Sequence, residues 1–204
     1  RARLQISGDL YDNVEFKAQY DFAGDGTAKW RDVFVGLKYL PYVGTIRVGN
    51  QYEPFGLEQQ TSSNALTFLE RGMPVEAFSP DRNTGVRLQN AVLDNRMTWS
   101  LGLFQEDDNY GTAGDEDRGW NATGRITGLP WYADEGRQAL HLGLSYSHQN
   151  PDGALRYRAR PEVALTNVPR FIDTRNTITA RDIRADQVDL YGLEAALVYG
   201  PFSL

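Results

Sequence analysis

A transmembrane, antiparallel up-and-down β-barrel is the fold class this all-β sequence predicts, and three observations carry it. Apolar and polar residues alternate with period two along run after run of the chain, the pattern of a strand with one apolar and one polar face. The links between runs alternate between short turns and long excursions. Aromatic residues gather toward the run ends, where the strands of a membrane barrel meet lipid headgroups.

The first run sets Ala2, Leu4, Ile6 and Leu10 against Arg1, Arg3, Gln5, Ser7 and Asp9. After a turn at Asp12 and Asn13, the second sets Val14, Phe16, Ala18, Tyr20 and Phe22 against Glu15, Lys17, Gln19 and Asp21, so the two form a hairpin. Val33, Val35, Leu37 and Tyr39 then oppose Asp32 and Lys38, and Ile46 and Val48 oppose Thr45, Arg47 and Gln51. Weaker runs around 86–88 and 122–126 carry Arg87 and Arg125 on their polar side. Stronger ones pass through Met97, Trp99, Leu101 and Leu103, through Leu140, Leu142, Leu144 and Tyr146, and through Tyr191, Leu193, Ala195, Leu197 and Tyr199. Nine strands and the beginning of a tenth are expected.

Short turns fall at 12–13, 41–43, 94–95, 130–137 and 200–201, and long excursions at 23–29, 51–83, 105–118 and 150–186. A membrane barrel trims one end of its sheet and elaborates the other in this way, whereas a sandwich has no reason to alternate so regularly. Tyr11, Tyr39, Tyr42, Trp131, Tyr132, Tyr199 and Phe202 stand by the short turns, and Tyr20, Phe22, Trp30 and Phe104 by the long loops. Alternation alone fits two arrangements, apolar faces packed on one another in a soluble protein or apolar faces turned to lipid around a wet lumen. The loop asymmetry and the aromatic bands favour the second.

Composition narrows the chemistry. The 204 residues include no Cys and two His, His141 and His148, and carry a formal net charge of -6. Disulfides, thiol nucleophiles and multi-histidine metal sites are thereby excluded, and no metal or cofactor is expected. Scattered Lys and Arg in an acidic chain argue against nucleic acid. No apolar stretch approaches the ~20 residues of a spanning helix. An open sheet with an apolar face in hydrocarbon would leave unpaired edges, so the chain is expected to be one partial barrel domain over 1–204, with further strands on both sides.

The stretch 47–86 carries a series of motifs: Glu53-Pro54-Phe55-Gly56-Leu57-Glu58, Thr61-Ser62-Ser63, Thr67-Phe68-Leu69-Glu70-Arg71, Ala77-Phe78 and Pro80-Asp81-Arg82-Asn83-Thr84-Gly85. In this order it resembles the signature region of the phosphate-selective porin O and P family, and matching segments extend over nearly the whole chain. The resemblance implies a sixteen-stranded barrel of the Gram-negative outer membrane, of which this chain covers about ten strands. It also implies a homotrimer whose third loop folds inward to narrow the pore. Position and length give that role to 51–83, with Tyr52, Glu53, Phe55, Asn64, Glu70, Arg71 and Arg82 as the candidate constriction residues. Glu70 and Arg71 are expected to anchor the loop to the wall, and Phe55, Leu57, Leu66, Phe68 and Leu69 to keep it ordered.

The segment 150–186 is read as a long, arginine-rich extracellular loop. From 156 to 184 there are seven Arg against Glu162, Asp173 and Asp182, a net +4 within an acidic protein. Arg156, Arg158 and Arg160 occupy alternate positions, so on an extended chain they share one face at roughly 6.5 to 7 Å spacing. Guanidinium groups so placed repel by about 0.6 kcal/mol per pair in water and about four times that at an effective dielectric near 20. Their planar forks suit phosphate or carboxylate, and a row of weak sites conducts where one strong site would trap. The resemblance carries an anion-ladder role onto these three and onto Arg1 and Arg3, and Arg47 joins the substrate-contacting set from the polar face. The competing reading of the three is an exposed loop strand whose charges serve nothing, with Glu162 paired to Arg160.

The expected function is that of a porin, not an enzyme: passive diffusion of phosphate, oligophosphate or organic anions, in contact with outer-membrane lipid and lipopolysaccharide. Tyr52 and Asn64 stand where the family commonly has basic residues, which predicts a weakened or altered anion preference. Three alternatives remain open: a soluble or surface-attached carbohydrate-binding module, a general non-selective porin, and a structural barrel with a plugged lumen. The acidic run 105–118 lacks the spacing of a calcium loop and reads as a solvated loop tip. His141 and His148 are both expected to face the lumen.

Overall fold

The structure, a computed structural model, describes residues 2–22, 29–105, 119–151, 155, 157–161, 170–174, 183 and 185–203. Its first four strands are β1 (Arg3–Leu10), β2 (Val14–Asp21), β3 (Lys29–Leu40) and β4 (Gly44–Tyr52), after which two short helices follow, α1 (Leu57–Gln60) and α2 (Met73–Phe78). Then come β5 (Arg82–Val92), β6 (Met97–Gln105), β7 (Trp120–Ala133) and β8 (Gln138–Asn150), the short β9 (Arg158–Ala159) and β10 (Ile172–Asp173), and finally β11 (Val188–Tyr199) and β12 (Phe202–Ser203). No described helix is long and apolar enough to cross a membrane.

Ten of these strands form one sheet in the order β1-β2-β3-β4-β5-β6-β7-β8-β11-β12, every neighbour antiparallel to the next. They are the nine full runs and the start of a tenth that the periodicity predicts. β9 and β10 pair only with each other. Short turns close the hairpins with left-handed residues, Tyr11 and Asp12 after β1, Leu93, Asp94 and Asn95 after β5. Asp and Asn tolerate that conformation because their short polar side chains bond locally to the backbone.

β7 departs from expectation. The strand runs on through Pro130 to Ala133, and the turn shrinks to Asp134–Gly136. The ladder to β8 is interrupted by a register shift between Gly128 and Trp131, so Pro130 stands at an irregularity where a missing N–H costs no ladder bond.

The sheet is inverted relative to a soluble protein. Among the described residues the buried apolar side chains, prolines apart, are Phe55, Phe104, Leu155 and Ala159. The buried polar ones include Asp21, Asp32, Gln51, Glu53, Arg82, Asn83, Asn121, Thr123, Ser145 and Ser147. Meanwhile Ile6, Leu144, Tyr191 and Leu193 are 62, 56, 78 and 86 % exposed on the opposite face. The apolar faces are not stacked on one another, and each Leu or Ile so displayed forgoes about 1.5–3 kcal/mol of burial unless its solvent is itself apolar.

Two expectations about faces change. Phe104, placed by sequence in an aromatic band, points to the polar side and is 2 % exposed, its ring lying over the open positions at Gly85 and Gly102. His148 shares the outer face with Leu144 and Tyr146, where its Nδ1 lies 2.8 Å from Asp189 Oδ1 and its ring 5.6 Å from Trp120. Strand parity sets this: His148 is an even step from Tyr146, and His141 an odd one.

Candidate functional site

The polar face is organised by residues that the strands place on alternate positions. On β2, β4, β5, β7 and β11 these are Glu15 and Lys17, Arg47, Arg87, Arg125 and Glu194. Arg47 reaches Glu15 through two bonds, Nε to Oε1 at 2.6 Å and Nη2 to Oε2 at 3.1 Å. Arg125 Nε donates to Glu194 Oε1 at 2.9 Å. Each pair spans an intervening strand over a glycine. A Cβ built on Gly36 would meet Glu15 Oε1 at 2.6 Å, and one on Gly143 would meet Glu194 Oε1 at 2.1 Å. Glycine at these positions is therefore a matter of space for a carboxylate. Asp32 is held between Arg82 Nε at 2.6 Å and Lys17 Nζ at 2.5 Å, and Arg3 Nε donates to Asp21 at 2.8 Å.

The segment after β4 lies across this polar face. Glu53 is fully buried, and its Oε1 accepts from Asn83 on β5 at 2.7 Å and from Asn121 on β7 at 2.8 Å, while Oε2 accepts from the Thr123 hydroxyl. Ser147 on β8 extends the network to Thr123 at 2.8 Å. Burial pushes the Glu53 carboxyl above its ordinary range, against the opposing pull of the donors from Asn121, Thr123 and Asn83. Phe55 is buried against β11, where its ring approaches the space over Gly192.

Beyond that anchor the segment is tied to itself. Arg71 donates to the carbonyls of Glu58 at 2.9 Å, Gln59 at 3.3 Å and Thr61 at 2.7 Å, and its guanidinium lies 5.8 Å from the Tyr52 ring at the end of β4. Glu58 Oε1 accepts from the Gly72 N–H that opens α2. Asn64 is exposed, and so are Phe68 and Leu69, so polar contacts rather than apolar burial hold this stretch in shape. Tyr52 lies under Arg82, whose guanidinium is 3.8 Å from the ring.

The arginine-rich segment meets the same region. In β9 Arg158 is exposed and Ala159 buried, and the backbone N–H of Arg160 donates to Glu76 of α2 at 3.0 Å. Tyr157 and Phe78 bring their rings within 5.1 Å. Two regions far apart in sequence, the segment after β4 and the arginine run, are thus brought together. Arg1 and Arg156 lie outside the described residues.

Asp32, Gln60 and Arg87 are among the residues of this arrangement to which sequence reasoning gave no functional role. Gln60 Nε2 donates to the Glu53 carbonyl at 2.5 Å, and its Oε1 accepts from Arg87 Nη1 at 3.2 Å. Arg87 also donates to Ser100 Oγ at 2.7 Å and to the Tyr52 carbonyl at 3.3 Å. The signal for Arg87 and Asp32 was a charge on a polar strand face. Gln60 offered none.

A comparison with curated proteins finds no match. A family model, that of the phosphate-selective porin O and P, matches residues 1–204. Its members are outer-membrane proteins, and porin membership implies a channel rather than an enzyme. A chain built as one large antiparallel sheet, polar where it is buried and apolar where it is exposed, and matched over its whole length by this model, belongs to the phosphate-selective porin O and P family.

Proposed function

We propose that the protein passes small anionic solutes through an outer membrane by passive diffusion. The observation that carries the reading is the inversion of the sheet, with cations on its buried polar face and large apolar side chains exposed opposite. In this reading further strands close a sixteen-stranded barrel, three copies associate, and lipid and lipopolysaccharide meet the apolar faces. The segment 51–83 narrows the lumen and 150–186 forms the arginine-rich outer loop, while Arg158 and Arg160, with Arg156, Arg1 and Arg3, hand anions along. The contact of Arg160 with Glu76 supports this, since it sets the arginine run against the segment assigned to the constriction.

The preference is expected to be modest. Arg3, Lys17, Arg47, Arg82 and Arg125 each face a carboxylate, so most wall cations are locally neutralised. That observation favours a second reading, a general porin with little selectivity for phosphate. The deciding measurement is the reversal potential of the reconstituted protein in a planar bilayer under a KCl gradient. Chloride preference that diminishes in Arg158→Gln and Arg160→Gln supports anion passage; potassium preference overturns it.

A further inference from the structure

Across the polar face the charged side chains follow one another as Glu15, Arg47, Arg87, Arg125 and Glu194. Arg47 is paired directly opposite Arg87 in the β4–β5 ladder. Its guanidinium, however, turns away to Glu15 over Gly36, and that of Arg125 turns the other way to Glu194 next to Gly143. Both carboxylates therefore lie on the far sides of their partners, and the middle of the row is positive. Arg87 occupies the middle. Its contacts are to neutral oxygens only, Ser100 Oγ, the Tyr52 carbonyl and Gln60 Oε1, and among the described residues it forms no ion pair.

Arg87 borders a cavity of about 470 Å³ that Arg47, Lys17, Tyr52, Gln60 and Phe34 also line. Asp9, Glu15 and Asp32 stand on its walls as well, each already engaged, by Lys38 at 2.9 Å, by Arg47 and by Lys17 with Arg82. A half-buried guanidinium whose acceptors are all neutral, with Arg47 and Arg125 on either side, gains most from an anion, because an anion adds a Coulomb attraction that hydroxyl, carbonyl and amide dipoles do not supply. Those contacts engage Nε and Nη1, which leaves the two Nη2 hydrogens for an oxyanion, and the weakly hydrated guanidinium gives up water readily.

We infer that Arg87 is an anion-binding residue at the neck of the 51–83 segment, taking a small oxyanion such as phosphate or a carboxylate from the adjoining cavity. The inference deepens the anion-channel reading and rests on it. It also names where selectivity resides on a wall whose other described cations are compensated. Because Arg87 holds Gln60 and the Tyr52 carbonyl as well, the bound anion sits where the segment leaves the wall.

The test uses the reconstituted protein in planar bilayers with KCl as carrier and inorganic phosphate as the probe, comparing wild type, Arg87→Gln and Arg87→Lys. Retained heat-modifiable mobility in detergent gels shows that each variant is folded. Arg87→Gln is expected to raise the phosphate concentration that halves the chloride current about tenfold, and Arg87→Lys, which keeps the charge but cannot hold Ser100, Tyr52 and Gln60 while offering further donors, to fall between. An Arg87→Gln channel as phosphate-sensitive as wild type overturns the inference while leaving anion passage intact. A wild-type channel that prefers potassium overturns anion passage, and phosphate sensitivity lost in Arg87→Gln then still identifies the site. Should Arg87→Gln fail to fold, Arg87→Lys indistinguishable from wild type in phosphate sensitivity overturns the guanidinium site.

Discussion

Glu53 illustrates how one side chain sets the position of a long segment. Its carboxyl collects donors from Asn83, Asn121 and Thr123, reaching two strands at once from full burial. Glu53→Ala would strand those donors, at about 1–3 kcal/mol for each one left unsatisfied. Faster tryptic cleavage within 51–83 is the expected readout. Glu53→Gln keeps an acceptor oxygen and should be far milder. The pH dependence follows from the raised carboxyl. A group whose folded value lies above its unfolded one contributes stability that is present below the ordinary carboxyl range and lost as pH rises through the folded value. Wild-type melting temperature relative to Glu53→Gln should therefore fall as pH rises from that range toward neutrality. A difference that stays constant with pH would refute the assignment. Glu53 was legible in the sequence as part of a motif; its partners were not, because Asn121 and Thr123 lie far along the chain and only the sheet brings them near.

At the scale of elements, the ion pairs that cross a strand depend on what the middle strand lacks. Gly36 and Gly143 leave room for Glu15 and Glu194 to lie over the backbone between cation and anion. Gly143→Ala is expected to drive Glu194 from its place and weaken the bond to Arg125, with an overpacking cost of about 1–3 kcal/mol. Urea unfolding of the refolded protein measures it, and a stability equal to wild type would count against the spacing argument. The even–odd assignment of faces was readable from alternation, which has the period of the backbone itself, and the up-and-down order from the alternation of short turns and long loops. Pro130 inside β7 was not, since a register shift depends on the partner strand. The inward turn of Phe104 follows from parity, an odd step from the outward Leu103, and only the space that Gly85 and Gly102 leave for its ring belongs to the fold.

For the molecule as a whole, the inversion of the sheet makes a prediction about solvent. Leu144 sits mid-strand on β8 with its side chain exposed. If that face meets hydrocarbon, Leu144→Arg costs about 2–4 kcal/mol in folding into lipid vesicles, the penalty for a charge near the bilayer midplane. A face meeting water would tolerate the change with no loss, and that result would remove the membrane setting on which anion passage depends. The charge arrangement also belongs to this scale. An acidic chain carries a wall on which carboxylates answer most of the cations, so net charge says little about what the wall attracts.

Alternation along the chain was enough to give the strands and their two kinds of face, because a strand's side-chain direction is a local property of the backbone. The sequence also carried the family motif and the long segment after β4. Which charges cancel became visible only once the strands were laid side by side. Arg47 and Arg87 look equivalent along the chain, each a lone cation on a polar face, and they differ only in whether a carboxylate from another strand comes within reach. Pairing of that kind is fixed by sheet register and by glycines one strand away, and distances across a sheet have no counterpart in distance along a chain.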